Sequence, residues 1–452
     1  MVAAAVAMLP PRPDASIVLV EEDGEERRYE EEEVYMDILA YGRVVGPPPQ
    51  DAAGRWEQAW RGVPLLVDDD GILGALETLA PDLIVFSDQV SFAAIGAVLQ
   101  EHPGPVGCLR LDLPSALQLV TLGEWMDLLR ATRGEEGLRD LVVLNTGGPK
   151  NQAFPLRRLP GGLRSLALGF FALPAPRDGV HLTALTELRL TGCAFSGSGL
   201  AALVQDLSGL RVLVLGCCNL TTGCGPEGLF IVSSTMRHFD MSLCTASGGV
   251  QLEYTPSLAW LSTDVRPRDG RLLLFDIRHP LALQELHRLA LGTHDITFIT
   301  PSEHDAIRNG RRIATLPHLA ILGVQLCMST SAHMHQLLDL MHHLPRLKGL
   351  TIRRLDDISH AEAEAQGQGV QQPFTIPPCI SGLQRLVIED FRGEAAEVAF
   401  AAHILANAGV LASLLLQPHQ KMQATEAADA TAPILTCPRA SENCEIVLGL
   451  NW

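Results

Sequence analysis

The 452 residues are 47% hydrophobic but only 5% aromatic, so the core must be aliphatic, and the length exceeds one ordinary compact domain. A formal net charge of −18 repels nucleic-acid backbones and anionic membranes at long range, and neither is expected as a partner. No apolar run reaches the length of a membrane span, and ten cysteines in a chain this long do not make a disulfide framework.

Residues 1–50 form an acidic extension. Met1 to Leu9 is apolar but lacks a basic leader and runs straight into Pro10-Pro11-Arg12-Pro13, which argues against a signal peptide. The acids between Glu21 and Glu33, with the closing Gly46-Pro47-Pro48-Pro49, read as solvated, disordered chain. Residues 51–100 read as an N-terminal cap. Trp56 and Trp60 stand at helical spacing ahead of Pro64-Leu65-Leu66. They either cover the open end of a repeat array or touch a partner, and covering is the favoured reading.

Residues 101–375 are dominated by an internal repeat, apolar-x-x-apolar-x-apolar. It occurs at Leu138/Leu141/Val143, Leu163/Leu166/Leu168, Leu185/Leu188/Leu190 and Leu210/Leu213/Leu215. Weaker copies follow at Met236/Phe239/Met241 and Leu258/Leu261. Clear copies resume at Leu286/Leu289/Leu291, Leu319/Leu322/Val324 and Leu347/Leu350/Ile352, then Leu383/Leu386/Ile388 and Leu411/Leu414/Leu416. The early spacings fit leucine-rich repeats of about 20–29 residues, and the later ones carry inserted loops. In x-Leu-x-Leu the two leucines share one face of a short strand, because side chains alternate. One unit cannot bury that face, but stacked neighbours can. The expected fold is therefore an α/β leucine-rich-repeat solenoid with a curved parallel sheet on the concave face and helices on the convex face.

The cysteines keep the register. Cys193, Cys218, Cys244 and Cys327 each stand three residues after the last strand leucine, the slot that Asn or Cys fills in such repeats. They read as buried, reduced thiols, and a cytoplasmic or nuclear home follows. Cys217 and Cys224 beside them match no zinc spacing. Helical patterns run from Gly199 to Leu207 and from Met334 to Leu344, the second placing Met334, Leu337, Leu338, Met341 and Leu344 on one face. His335, Asp339 and His342, with His333 and His343 nearby, could offer metal ligands. They read better as the polar side of that helix, and neither metal nor cofactor is expected. Gly197-Ser198-Gly199 reads as a turn, and no P-loop, zincin or nucleophile-elbow motif is present, so the chain is read as non-enzymatic.

Strand positions between the repeat leucines point away from the core and line the binding surface of a solenoid. They are Asp140, Glu187, Arg189, Val212, Val214, His238, Asp240, Trp260, Arg288, Thr351, Arg353, Arg385 and Glu389. Trp260 is the strongest single candidate, because aromatic and arginine side chains dominate interface energetics, and the arginines suit an acidic partner. Taken singly, most of these are ordinary solvated residues.

Residues 376–416 and the closing tail, 417–452, complete the chain. His360–Gln372 and Gln420–Ala432 read as surface loops, and Ile446-Val447-Leu448 as a last strand. Pro377-Pro378-Cys379-Ile380, then Leu383, Leu386 and Ile388, Phe391-Arg392-Gly393, Glu397, and Ile404-Leu405-Ala406-Asn407-Ala408 with Leu411 resemble the FBD domain of plant F-box/LRR proteins. His102-Pro103-Gly104-Pro105 and Arg439-Ala440-Ser441 resemble other segments of that family, especially of its grass members. The resemblance implies a substrate receptor for a cullin-based ubiquitin ligase, whose F-box docks the adaptor subunit and whose repeats hold the target. An F-box would be a compact helical motif near the start. Only Arg55-Trp56 through Pro64-Leu65-Leu66 look like the end of one, which makes Trp56 and Trp60 candidate adaptor contacts and leaves the F-box degenerate or missing. The alternative is a free-standing repeat scaffold that recruits no ligase.

Overall fold

The computed structural model describes residues 16–20, 26–30, 65–68, 92–149, 152–173, 181–220, 229–246, 250–267, 275–276, 285–291, 316–354 and 377–449, apart from 93–94, 101, 103, 114–115, 327 and 329–330. Trp56, Trp60, Cys224, Cys327 and the 360–372 insertion lie outside the described residues. The fold is an α/β leucine-rich-repeat solenoid, and the chain divides into two compact units, Met1–Ala194 and Phe195–Trp452.

In the first unit, β1 (Ser16–Val20) and β2 (Glu26–Glu30) pair antiparallel within the acidic leader. β3 (Leu65–Asp68), β4 (Val106–Asp112), β5 (Leu138–Leu144), β6 (Ser165–Gly169) and β8 (Glu187–Thr191) add one after another as parallel strands, with the two-residue β7 (Ala172–Leu173) between the last two. The register sets leucine against leucine: Leu141, Leu166 and Leu188 are paired in line, and all are buried. Such burial contributes roughly 1.5–3 kcal/mol per side chain. β4 extends the repeat one unit further back than the sequence series. Val106, Leu109 and Leu111 pair with Leu138, Leu141 and Val143. Helix α1 (Ala116–Arg133) separates the two strands and buries Leu122, Trp125, Met126 and Leu129.

The second unit begins at the second residue of β9 (Ala194–Phe195) and takes in α2 (Gly197–Asp206), β10 (Val212–Gly216) and β11 (Asn219–Leu220). Ser196 caps α2 by accepting from the Gly199 N–H at 3.0 Å, so Gly197-Ser198-Gly199 is the first helical turn rather than a preceding loop. β13 (His238–Ala246), β15 (Trp260–Pro267), β17 (Arg288–Leu291), β18 (Ile321–Leu326), β19 (Gly349–Arg354), β20 (Arg385–Phe391), β21 (Ser413–Pro418) and β22 (Glu445–Leu448) continue in parallel from β10. Between them, β12 (Leu229–Val232), β14 (Val250–Tyr254) and β16 (Phe275–Asp276) form a second parallel sheet in the back layer, where later repeats carry helices. Leu229, Ile231, Val250 and Leu252 are its buried side chains.

Helix α3 (Ser331–Met341) buries Met334, Leu337, Leu338 and Met341, the face read from the sequence, and Leu344 is buried just beyond it. Helix α4 (Ala395–Asn407) begins with Glu394 and Glu397 in a reciprocal capping box. Residues 420–432 correct an expectation: the segment read as a loop holds the greater part of α5 (Ala424–Leu435). Its alanines are strong helix formers, Gln423 and Glu426 form a second capping box, and Ala427, Thr431 and Ile434 are buried. Cys193, Cys218 and Cys244 are buried where the repeat register puts them. The thiols of Cys193 and Cys244 donate to the Leu168 and Leu215 carbonyls at 3.4 and 3.3 Å, each reaching back one repeat. All cysteines among the described residues are free thiols.

Candidate functional site

Because the leucines of each strand point inward, the residues between them form cross-strand rows on the open face of the sheet. In the first unit one such row runs Cys108, Asp140, Ser165, Glu187, and the next runs Arg110, Val142, Ala167, Arg189. Glu187 and Arg189 answer each other, the guanidinium donating to the carboxylate within the same strand. Burial pushes the Asp140 carboxyl above its ordinary range. Arg139 pulls it down, Glu187 adds repulsion, and Arg164 pulls it down again.

In the second unit the corresponding row is Val212, His238, Trp260, Arg288, Ile321, Gly349, Arg385. Three of its members form one stack. The His238 and Trp260 rings lie 4.7 Å apart, 22° from parallel, and the Arg288 guanidinium sits 5.1 Å from the Trp260 ring centre on the neighbouring strand. The register creates this arrangement: parallel strands put residues one repeat apart directly side by side, about 4.8 Å away, close to the stacking distance of aromatic rings. Each contact contributes about 0.5–1.5 kcal/mol to holding the rings in place. Trp260 remains 36% exposed and Ile321 37%. A large rigid aromatic, half-covered and held by its neighbours, is the kind of group that anchors an interface.

The adjoining row continues Val214, Asp240, Ser262, Ala290, Gly323, Thr351, Val387. Its centre is made of small residues and forms a low floor beside the Trp260 wall. Asp240 accepts from the Ser242 hydroxyl at 2.5 Å. Further along, Arg353 donates to Glu389 at 2.5 Å across β19 and β20. The residues singled out from sequence therefore fall into two sets and a remainder. Glu187, Arg189, Arg353 and Glu389 are ion-paired within their own units, Val212, His238, Trp260, Arg288 and Arg385 share one row, and the rest stand apart from both, Val214 and Asp240 in the adjoining row and Asp140 in the first unit. Thr351 lies beside that row and half-exposed. Sequence reading missed Ile321, which the alternation rule would have given as readily as Arg288.

Asp339 and His342 are exposed at the end of α3, and the side chains of His333 and His335 lie outside the described residues. Among the described residues no cluster of three or more His, Cys, Asp or Glu could hold a metal.

An ion triad joins β19 to α4, its Arg354 and Glu397 buried and its Glu394 half-exposed at the rim. The Arg354 guanidinium donates to Glu397 at 2.8 Å and to Glu394 at 2.6 Å, and Glu397 also accepts from the backbone N–H groups of Arg392 and Glu394. Burial opposes the Arg354 charge, but the hydrogen bonds to Glu394 and Glu397 outweigh it and hold its pKa above the ordinary value. Gly393 in the intervening turn has φ of 73°, which suits glycine. The triad locks this terminal module to the repeat before it.

The match to a family of leucine-rich repeats agrees with this architecture. Residues 122–352 match the family described as FBD-associated F-box protein At5g56370, LRR repeats, and residues 372–416 match the FBD domain. No curated protein matches. Among the solved structures that resemble it, "Crystal structure of TLR13-ssRNA13 complex" is 13% identical with a TM-score of 0.25, over 78% of this chain and 59% of that one. The family match spans more than half of the 452 residues and includes the Trp260 stack, and the chain belongs to the FBD-associated F-box proteins with leucine-rich repeats.

Proposed function

We propose that this chain is a non-enzymatic, protein-binding receptor that delivers a target to a cullin-based ubiquitin ligase in the cytoplasm or nucleus, with the target held on the open sheet face of the second unit. The observation that carries the reading is the His238–Trp260–Arg288 stack, fixed by its own neighbours yet exposed. Family membership supports the ligase connection. Recruitment would rest on Trp56 and Trp60, at the end of the segment that looks like a remnant F-box.

Co-purification of the full chain with the ligase adaptor tests this, beside the double variant Trp56→Ala/Trp60→Ala. Binding by the first and not the second supports the receptor reading. Binding by neither removes ligase recruitment and favours the alternative, a scaffold that binds its partner unaided.

A further inference from the structure

The residues just before each strand of the second unit, at the leading edge of the open face, add a second row that sequence reading passed over. Hydrogen bonds link it from repeat to repeat: Arg237 N–H to the Arg211 carbonyl, Ala259 to Arg237, His287 to Ala259, Ala320 to His287, Lys348 to Ala320, and Gln384 to Lys348. This row and the Trp260 row run together from β10 to β21 without an acid, in a chain of net charge −18, and the Trp260 row reaches its first acid, Glu445, on the last strand, β22. They contain the cations Arg211, Arg237, Arg288, Lys348 and Arg385, every one exposed. None of the five forms an ion pair among the described residues, whereas Arg353 at the opposite end of β19 does. Glu285, in the turn before Leu286, stands outside both rows. The acids Asp240 and Glu389 lie further along their strands, so charge is sorted across the face, positive at the leading edge.

We propose that this edge binds an acidic, extended peptide segment of the partner, lying across the strands with carboxylates on the five cations and apolar side chains on Trp260 and Ile321. The proposal rests on the protein-binding reading of this face and names the class of partner. Spacing supports it. From Arg211 to Arg385 there are six strand intervals of about 4.8 Å, roughly 29 Å, which an extended chain rising about 3.3 Å per residue covers in about nine residues. The small floor at Ser262, Ala290 and Gly323 leaves room for its backbone. An acidic peptide is favoured over nucleic acid because a few spaced carboxylates can meet the five cations beside the apolar Trp260 and Ile321, whereas a polyphosphate brings a charge with every unit and meets more of the repulsion from a chain of net charge −18.

The test uses the full chain and three fluorescein-labelled probes: a decapeptide of alternating Glu and Leu, its Gln-Leu counterpart, and a ten-nucleotide single-stranded RNA. The Glu peptide should bind at least tenfold more tightly than the Gln peptide and weaken as salt rises. Arg237→Ala/Arg288→Ala, both surface substitutions checked by matched melting curves, should weaken it at least tenfold. RNA binding as tight as the Glu peptide overturns the proposal, as does a Glu peptide indifferent to the double variant. If both peptides bind equally and Trp260→Ala weakens both, the acidic preference falls while the protein-binding face stands. If neither binds, the acidic-partner inference is overturned, and loss of a captured protein in Trp260→Ala decides the reading of the face separately.

Discussion

Phe170, Gly192, Cys217, Leu243 and Asp390 occupy the same place in five repeats, two residues after the last inward strand residue, and all have φ between 52° and 64°. The left-handed turn there drops the next residue, Phe171, Cys193, Cys218, Cys244 or Phe391, into the core, where each is buried. Gly192 is relaxed in this conformation and Asp390 tolerates it, whereas it costs Phe170, Cys217 and Leu243 about 1–2 kcal/mol each. Leu243 is 46% exposed, so Leu243→Gly should lose little packing. It should raise the unfolding free energy by about 0.5–1 kcal/mol, relief of strain exceeding the added chain entropy, as read from urea midpoints. Gly192→Ala should lower it by about 1–2 kcal/mol, because φ is 61° and the new methyl would meet the Phe170 ring at 2.6 Å. At the triad, Glu397→Leu should cost about 3–5 kcal/mol by leaving the Arg354 charge without its best partner. Arg354→Met/Glu397→Leu should recover a large part of that loss, and a double-mutant cycle measures the recovery.

At the scale of elements, the strands were legible because a leucine period and a two-residue alternation leave few registers open, and the cysteine slot confirmed the phase. The back layer was less legible. Nothing in the apolar pattern of 229–232 or 250–254 separates a back-layer strand from a helix turn, since both need only a few inward side chains. Helix α5 was missed because Ala424–Leu435 offers a narrow apolar stripe, and Pro433 near its end reads as a breaker. The short 3-10 turn Pro378–Gly382, ahead of β20, carries a testable consequence. Burial pushes the Cys379 thiol from 9.0 up to about 11, so the folded chain holds this proton where the unfolded chain releases it. The stabilisation is complete below pH 9 and is lost as pH rises to 11, about 2–3 kcal/mol in all. Urea midpoints at pH 8.5 and 10.5 should therefore converge more in Cys379→Ala than in the natural chain.

At the scale of the whole molecule, the site was half legible. Alternation gives every outward position but not which of them meet. Stacking of His238, Trp260 and Arg288 follows from a register that ties residues 22 and 28 positions apart, and irregular repeat lengths hide such pairs until the strands are aligned. The sorting of charge was hidden for a related reason: Arg211, Arg237, His287 and Lys348 each follow the first apolar residue of a repeat, yet their chain neighbours include acids that the fold carries elsewhere. The central claim is that partners bind on the Trp260 face. The most direct measurement is quantitative mass spectrometry of proteins captured side by side by the full chain and by Trp260→Ala from the same extract. The account predicts a stoichiometric partner that falls at least tenfold with the variant, while any ligase adaptor is retained equally. An unchanged set of partners on the two chains would contradict it.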